Sequence, residues 1–143
     1  MLSYERVIQI FEGISQSLGL GFMHGRDFDM NTYEGEFPLV FMYPMSFRTD
    51  LVSGERFNVS YKAQLVFMVL NADGYDRSAE SDLLNVYECD VLFSKFLEKI
   101  RLENEIISLQ VNCDTIPLYN KSAFCGTVIN ANFEIKGNYK IIC

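Results

Sequence analysis

The chain has 143 residues, of which 49% are hydrophobic and 22% charged, a composition typical of one globular domain rather than a disordered segment. Its formal net charge is −7 at pH 7 and its sequence pI about 4.6, which disfavours tight binding along a phosphate backbone. Four cysteines without a C-x-x-C pair, and a single histidine, argue against a structural zinc site.

The first predicted element is a helix over residues 3–18. Its apolar residues recur at intervals of three and four and form one stripe, made of Val7, Phe11, Ile14 and Leu18. Ser3 is suited to cap the amino end of this helix, and Gly19 is suited to end it. The glycine-rich stretch that follows, 19–36, is predicted to be irregular.

Two strands joined by a hairpin are predicted next. The segment 38-PLVFMYP-44 places five apolar residues between prolines, which is typical of a buried strand. Residues 48–56 predict a hairpin connection, projecting around 46–58. In 59–69 apolar and polar residues alternate until Leu65, after which both faces are apolar. This strand is therefore predicted to begin half-exposed and to end covered on both sides.

A second helix is predicted after the turn 71-NADGYD-76, with Ser78 as its cap. Its predicted core side is spaced by threes and fours and consists of Leu83, Val86, Phe93, Phe96 or Leu97, and Ile100. Strands over 107–113 and 129–135 follow, and Gly137-Asn138 is predicted to end the last one. The order predicts an α+β fold with an antiparallel or mixed sheet of about four to five strands, two helices packed on one face, and a single domain over 1–143.

The stretch 24-HGRDFDMN-31 concentrates the polar side chains that could carry chemistry. His24, Arg26 and Asp29 could act as a general acid–base group, which defines one alternative, a small cytosolic enzyme. The simpler interpretation is a glycine-rich loop whose polar side chains satisfy its own backbone. A further alternative is a cation site at Asp73 and Asp76, although the calcium-loop pattern places an apolar valine at the first ligand position.

The remaining indications favour a non-enzymatic interaction protein. Aromatic residues make up 14% of the chain, more than one modest core needs, and tyrosine and phenylalanine are enriched at interfaces. Loops and hairpins that extend from a compact domain are a common means of contacting neighbours. The predicted interface residues are His24, Arg26, Asp29, Asn31, Arg48, Arg56 and Tyr75. No catalytic residue, cofactor or metal site is predicted.

Several segments taken together carry a resemblance to a known family. They are the amphipathic N-terminal helix, HGRDFDMN leading to FPLVFMYP, the strand NVSYKAQLVFMVL, the helix SAESDLLNVYECDVLFSKFLEKI and the closing strand GTVINANFEIKG. In this order they resemble the tail-terminator or tail-completion proteins of tailed bacteriophages, which join head to tail. Among these, versions from phages of Bacteroidetes, including the crAss-like group, are most similar.

The resemblance implies a structural virion protein, assembled in the cytoplasm of the bacterial host. It implies a homo-oligomeric neck ring of about six- or twelvefold symmetry, closed by two different faces of each subunit. The implied partners are other neck, portal or tail proteins, with DNA passing through the lumen without specific binding and with no membrane. The family has no catalytic residues to assign.

Overall fold

The computed structural model describes residues 2–26, 38–53, 56–69, 79–106, 108–119 and 125–140. Within these ranges the chain forms two helices and six strands. Their bounds in chain order are α1 Tyr4–Ser17, β1 Gly21–His24, β2 Leu39–Met42, β3 Ser46–Ser53, β4 Arg56–Met68, α2 Ala79–Ile100, β5 Ser108–Tyr119 and β6 Cys125–Lys140. The predicted α+β class is confirmed, and the described sheet has six strands rather than about four to five.

All described strands form one mixed sheet in the order β1-β2-β4-β6-β5, with β3 also paired to β4. Only β1 and β2 are parallel, and the other described pairs are antiparallel. The strands β2 and β3 follow each other along the same edge of β4, because Met42 is opposite Leu65 and Ser46 is opposite Lys62. The long strands β4 and β6 therefore form the centre of the sheet.

Helix α1 begins and ends as its sequence predicts. The Ser3 hydroxyl accepts a hydrogen bond of 3.2 Å from the Arg6 amide, which satisfies one unpaired donor of the first turn. At the other end Gly19 has a φ of 73°, a left-handed conformation that glycine adopts without steric cost. The chain can therefore turn immediately into β1.

Both helices pack on one face of the sheet around a cluster of phenylalanine rings. The Phe11 ring of α1 lies 5.7 Å from Phe96 of α2 and 5.5 Å from Phe133 of β6, and Phe67 of β4 lies 5.3 Å from Phe96. These four rings are at most 1% exposed. Cys89 is buried beside them and donates from its thiol to the Phe67 carbonyl, as expected of a packing cysteine.

The opposite face of the sheet is covered where β2 meets the end of β4. Leu39, Phe41, Val66 and Met68 are each no more than 2% exposed, although their neighbours in sequence face the helices. The strand that was predicted to end covered on both sides does so. Towards the start of β4 this face is polar, and the exposed Lys62 lies between two half-buried residues, Ser60 and Gln64.

Three predictions about the elements are wrong. The stretch predicted to be irregular contains β1, because its backbone pairs with β2 rather than following a local pattern. Gly137 does not end β6, since it remains paired with Val59 and the strand continues to Lys140. Leu83 was assigned to the core side of α2, yet its side chain is 49% exposed.

The sheet extends at two opposite ends. At one end the first residues of β4, 56–59, pair with β3 and with 137–140 of β6, past the point where β5 begins opposite Lys136. At the other end, 116–119 of β5 pair with 125–128 of β6 past the last described pair of β4 and β6. Each extension is four residues, or about 13 Å, long.

Candidate interaction surfaces

His24 and Arg26 lie at the end of β1, an edge strand of the sheet. His24 is opposite Met42 of β2, and the next amide, that of Gly25, still donates to the Met42 carbonyl at 3.0 Å. Both side chains are exposed. Asp29, the third residue of the acid–base alternative, lies outside the described residues, and so do Asp73 and Asp76 of the cation alternative.

Of the remaining predicted interface residues, the structure describes the side chain of Arg48 alone, and Arg48 does not lie beside His24. Arg48 is exposed on β3 opposite Ser60, whereas His24 is level with Leu65. These two levels are five positions apart along β4, or about 17 Å. Arg56 begins β4, but its side chain lies outside the described part of the structure, as do Asn31 and Tyr75 altogether.

A shallow polar groove of about 420 Å³ crosses the uncovered part of the sheet. Side chains of four strands line it, among them Ser46, Lys62, Gln64, Gln110 and Glu134. Lys62 and Glu134 are direct cross-strand neighbours of opposite charge, an arrangement that stabilises a sheet modestly. The polar part of the groove lining consists of amides, a hydroxyl and the Lys62–Glu134 pair of opposite charges.

The outward face of α2 is apolar over its first half. Four large side chains there are each about half exposed or more: Leu83 49%, Leu84 60%, Tyr87 56% and Val91 53%. They recur at i, i+1, i+4 and i+8, so they form one stripe on the helix surface. The same helix buries Cys89, Phe93, Phe96 and Ile100 against the sheet. We call the exposed set Leu83, Leu84, Tyr87 and Val91 the α2 stripe.

Sequence reasoning missed the α2 stripe because it treated the helix as having a single apolar side. Leu83 and Val86 fit the spacing of the buried residues and were placed on the core side. Leu84, Tyr87 and Val91 do not fit that spacing, and no contact was predicted for them. A second set of apolar residues at helical spacing was the available signal. A helix with two apolar faces is expected to contact two different layers.

Arg6 organises the acidic residues that follow α2. Its Nε donates to Glu105 Oε1 at 2.8 Å, and its Nη2 lies 4.0 Å from Glu103 Oε2. The hydrogen bond from Arg6 is the main cause that holds the pKa of the Glu105 carboxyl below its usual value. Glu103 and Glu105 therefore tie the segment after α2 to α1.

Among the described residues, no group of three or more His, Cys, Asp or Glu side chains could hold a metal ion. No helix in the same ranges is long and apolar enough to cross a membrane. In comparisons with known proteins, the chain matches no family model and no curated protein. Function is therefore inferred from the surfaces of the molecule and from the resemblance of its segments.

Proposed function

We propose that the chain is a structural virion protein that forms a ring at the head–tail junction of a tailed phage. In this role it joins the portal or connector to the tail and lines the passage through which DNA moves. The observation that carries the assembly part of this proposal is the α2 stripe. The phage part rests on the resemblance of the segments to tail-terminator and tail-completion proteins.

The α2 stripe supports association because isolated domains seldom keep several large apolar side chains together on their surface. Tyr87 and its three neighbours are about half exposed, and a full burial of such side chains stabilises by about 1.5–3 kcal/mol each. Completing their burial against a partner would therefore contribute roughly 1 kcal/mol per side chain. Association must also overcome the lost freedom of two molecules, so additional surfaces must take part.

The charge of the chain supports a passage that does not retain DNA. A net charge of −7 repels phosphates, and the polar groove of the sheet carries balanced rather than positive charge. A ring lined by such subunits lets a duplex slide, because no phosphate contact has to be broken at each step. The same charge opposes self-association, so contacts between subunits must bring opposite charges together locally.

The two extensions of the sheet support contacts with neighbours on more than one side. They lie at opposite ends of the sheet, because 56–59 pair with one end of β6, 137–140, and 116–119 pair with its other end, 125–128. Subunits in a ring need two dissimilar contact regions, each complementary to the other. His24, Arg26, Asp29, Asn31, Arg48, Arg56 and Tyr75 remain predicted interface residues.

No specific observation favours the alternative of a small enzyme at His24, Arg26 and Asp29. His24 and Arg26 are exposed on an edge strand, outside the groove of the sheet. No specific observation favours a cation site at Asp73 and Asp76 either, since both residues lie outside the described part of the chain.

The proposal is tested by imaging the purified protein in negative stain, alone and mixed with the purified products of neighbouring genes. We expect rings with a central channel wide enough for a DNA duplex. Particles with the size of one subunit in both samples would contradict the proposal. An activity assay cannot substitute for imaging, because the proposed protein acts through its interfaces.

A further inference from the structure

The first half of α2 combines apolar and acidic side chains on its exposed surface. The α2 stripe is accompanied by three exposed carboxylates, those of Glu80, Glu88 and Asp90. Within the described residues none of the three forms an ion pair. A partner that covers the α2 stripe must therefore supply apolar surface and positive charge together.

A groove of about 370 Å³ lies between α1 and the end of α2. Its walls combine Ile10, Gly13, Ile14 and Leu102 with polar side chains, among them Lys99 and the ion-paired Arg6 and Glu103. Leu102 is 69% exposed, and a Cβ added at Gly13 would meet nothing within 4 Å. The groove is thus open to solvent and has an apolar floor of Ile10 and Ile14. Leu102 and charged side chains form its rim, so it can accept apolar side chains from another molecule. We call it the α1–α2 groove.

The unpaired positive charge of the helices is concentrated at this groove. Arg6 is bound to Glu105 and Arg101 lies 3.5 Å from Glu98. Lys99 lines the groove, and Lys95 lies one helical turn before Lys99 on α2. Both side chains are exposed. In the described ranges neither lysine forms an ion pair. Two cations without partners stand out in a chain whose net charge is −7.

We propose that the α2 stripe of one copy binds in the α1–α2 groove of the next copy. Apolar side chains then meet apolar side chains, and the carboxylates beside Tyr87 approach the ammonium groups of Lys95 and Lys99. This pairing brings opposite charges together although the two copies repel each other overall.

The geometry of the contact is heterologous, because its two halves are different surfaces of the same chain. Leu84 of the stripe and Lys99 of the groove lie about 22 Å apart along the axis of α2. Each copy can thus bind one neighbour at each end of the helix, and repetition gives a closed ring or an open filament. Only closure into a ring rests on the proposed function, whereas the pairing of the two surfaces does not.

The test uses two variants of the full chain that each block one surface. Tyr87→Asp places a charge in the α2 stripe, and Gly13→Glu fills the α1–α2 groove with a side chain that repels the acidic partner. Both positions are exposed, and replacement of glycine within a helix is itself favourable for folding. Tyr87→Phe and Gly13→Ala are the matched controls, and thermal melts verify that all four variants fold.

Sedimentation velocity over a range of concentrations measures the outcome. We expect wild type and both controls to form the large assembly, and each blocked variant alone to be monomeric. An equal mixture of the blocked variants should form dimers and nothing larger, because only one stripe and one groove remain intact between the two chains. A double variant, Lys95→Glu with Lys99→Glu, tests the charge pairing without filling the α1–α2 groove. Its assembly is expected to be about tenfold weaker.

Three outcomes would overturn the inference. Large assemblies in both blocked variants would show that the two surfaces do not meet, while the proposed ring would stand. Assemblies larger than a dimer in the mixture would show that the contact is not between stripe and groove. A wild-type chain that is monomeric alone would overturn the inference, and one that stays monomeric with the neighbouring gene products as well would also overturn the proposed function.

Discussion

Arg6 and Glu105 join two parts of the chain that are 99 positions apart, through a hydrogen bond of 2.8 Å between Arg6 Nε and Glu105 Oε1. The bond connects the first turn of α1 to the segment that follows α2. Its partners are partly exposed, with 39% of the Arg6 side chain and 27% of the Glu105 side chain accessible. Because both partners are partly exposed, the pair joins these two parts of the chain and adds little to stability.

Glu105→Gln is expected to lower the free energy of unfolding at pH 7 by about 1 kcal/mol or less, since exposed ion pairs contribute little. The pKa of Glu105 is lowered in the folded state, mainly by the hydrogen bond from Arg6. The stabilisation is therefore present above the ordinary carboxyl pKa of about 4.3 and is lost as pH falls through the lower folded value. Urea unfolding at a series of pH values measures the difference between wild type and variant.

Glu98→Gln is the matched control for this prediction. Glu98 also faces an arginine, Arg101, at 3.5 Å, but both side chains are at least 70% exposed. The control should change the free energy of unfolding less than Glu105→Gln at pH 7. A difference between wild type and Glu105→Gln that persists unchanged at the lowest pH would contradict the assigned role of Arg6.

Phe96→Ala is expected to destabilise the fold by about 3–5 kcal/mol. The Phe96 ring is fully buried and lies 5.7 Å from Phe11, 5.3 Å from Phe67 and 6.1 Å from Phe133. Its removal leaves a cavity where both helices meet the sheet. Phe47→Ala is the control, since Phe47 is 63% exposed, and should cost about 1 kcal/mol or less. Equal shifts of the urea midpoint in the two variants would refute this description of the core.

Tyr4→Phe is expected to cost about 0.5–1.5 kcal/mol, because it removes a hydrogen bond to a backbone amide. The Tyr4 hydroxyl accepts from the Met45 amide at 3.0 Å, at the bend where the chain passes from β2 to β3. Met45 itself is only 8% exposed, so its amide has little access to water as a substitute. Tyr87→Phe, at an exposed position of α2, is the control. Amide hydrogen exchange at Met45 should accelerate in Tyr4→Phe alone.

The purified protein is expected not to shift duplex DNA in an electrophoretic assay at physiological salt. Its net charge is −7, and among the described residues that line the polar groove of the sheet the charge of Lys62 is balanced by Glu134. A shift at physiological salt that weakens steeply as salt is raised would contradict a passage that DNA traverses without binding.

Elements with a strong local pattern could be predicted from the sequence. Helix α1 has a cap at Ser3, an apolar stripe and a glycine at position 19, and these local signals agree with the structure. Strand β4 shows in its own sequence the change from half-exposed to fully covered. Such elements are specified by the chemistry of neighbouring residues, so no knowledge of the sheet order is needed.

Features that depend on distant pairing could not be predicted. Strand β1 has only four residues, Gly21–His24, and becomes a strand because Leu39–Met42 lies beside it. Gly137 continues β6 because Val59 is paired opposite it. Leu83 fits the core spacing of α2 by sequence, and its exposure depends on how the helix is rotated against the sheet. Likewise, no local pattern indicates that Arg6 binds Glu105.

The mass of the wild-type assembly tests the central claim most directly. Native mass spectrometry of the purified chain should give a species whose mass is an integer multiple of 16.5 kDa. With the products of neighbouring genes, the mass should be such a multiple plus the mass of the bound partners. A closed ring predicts one dominant multiple that does not grow with concentration. A mass of 16.5 kDa alone in every sample, or a continuous series of growing multiples, would contradict the proposed ring.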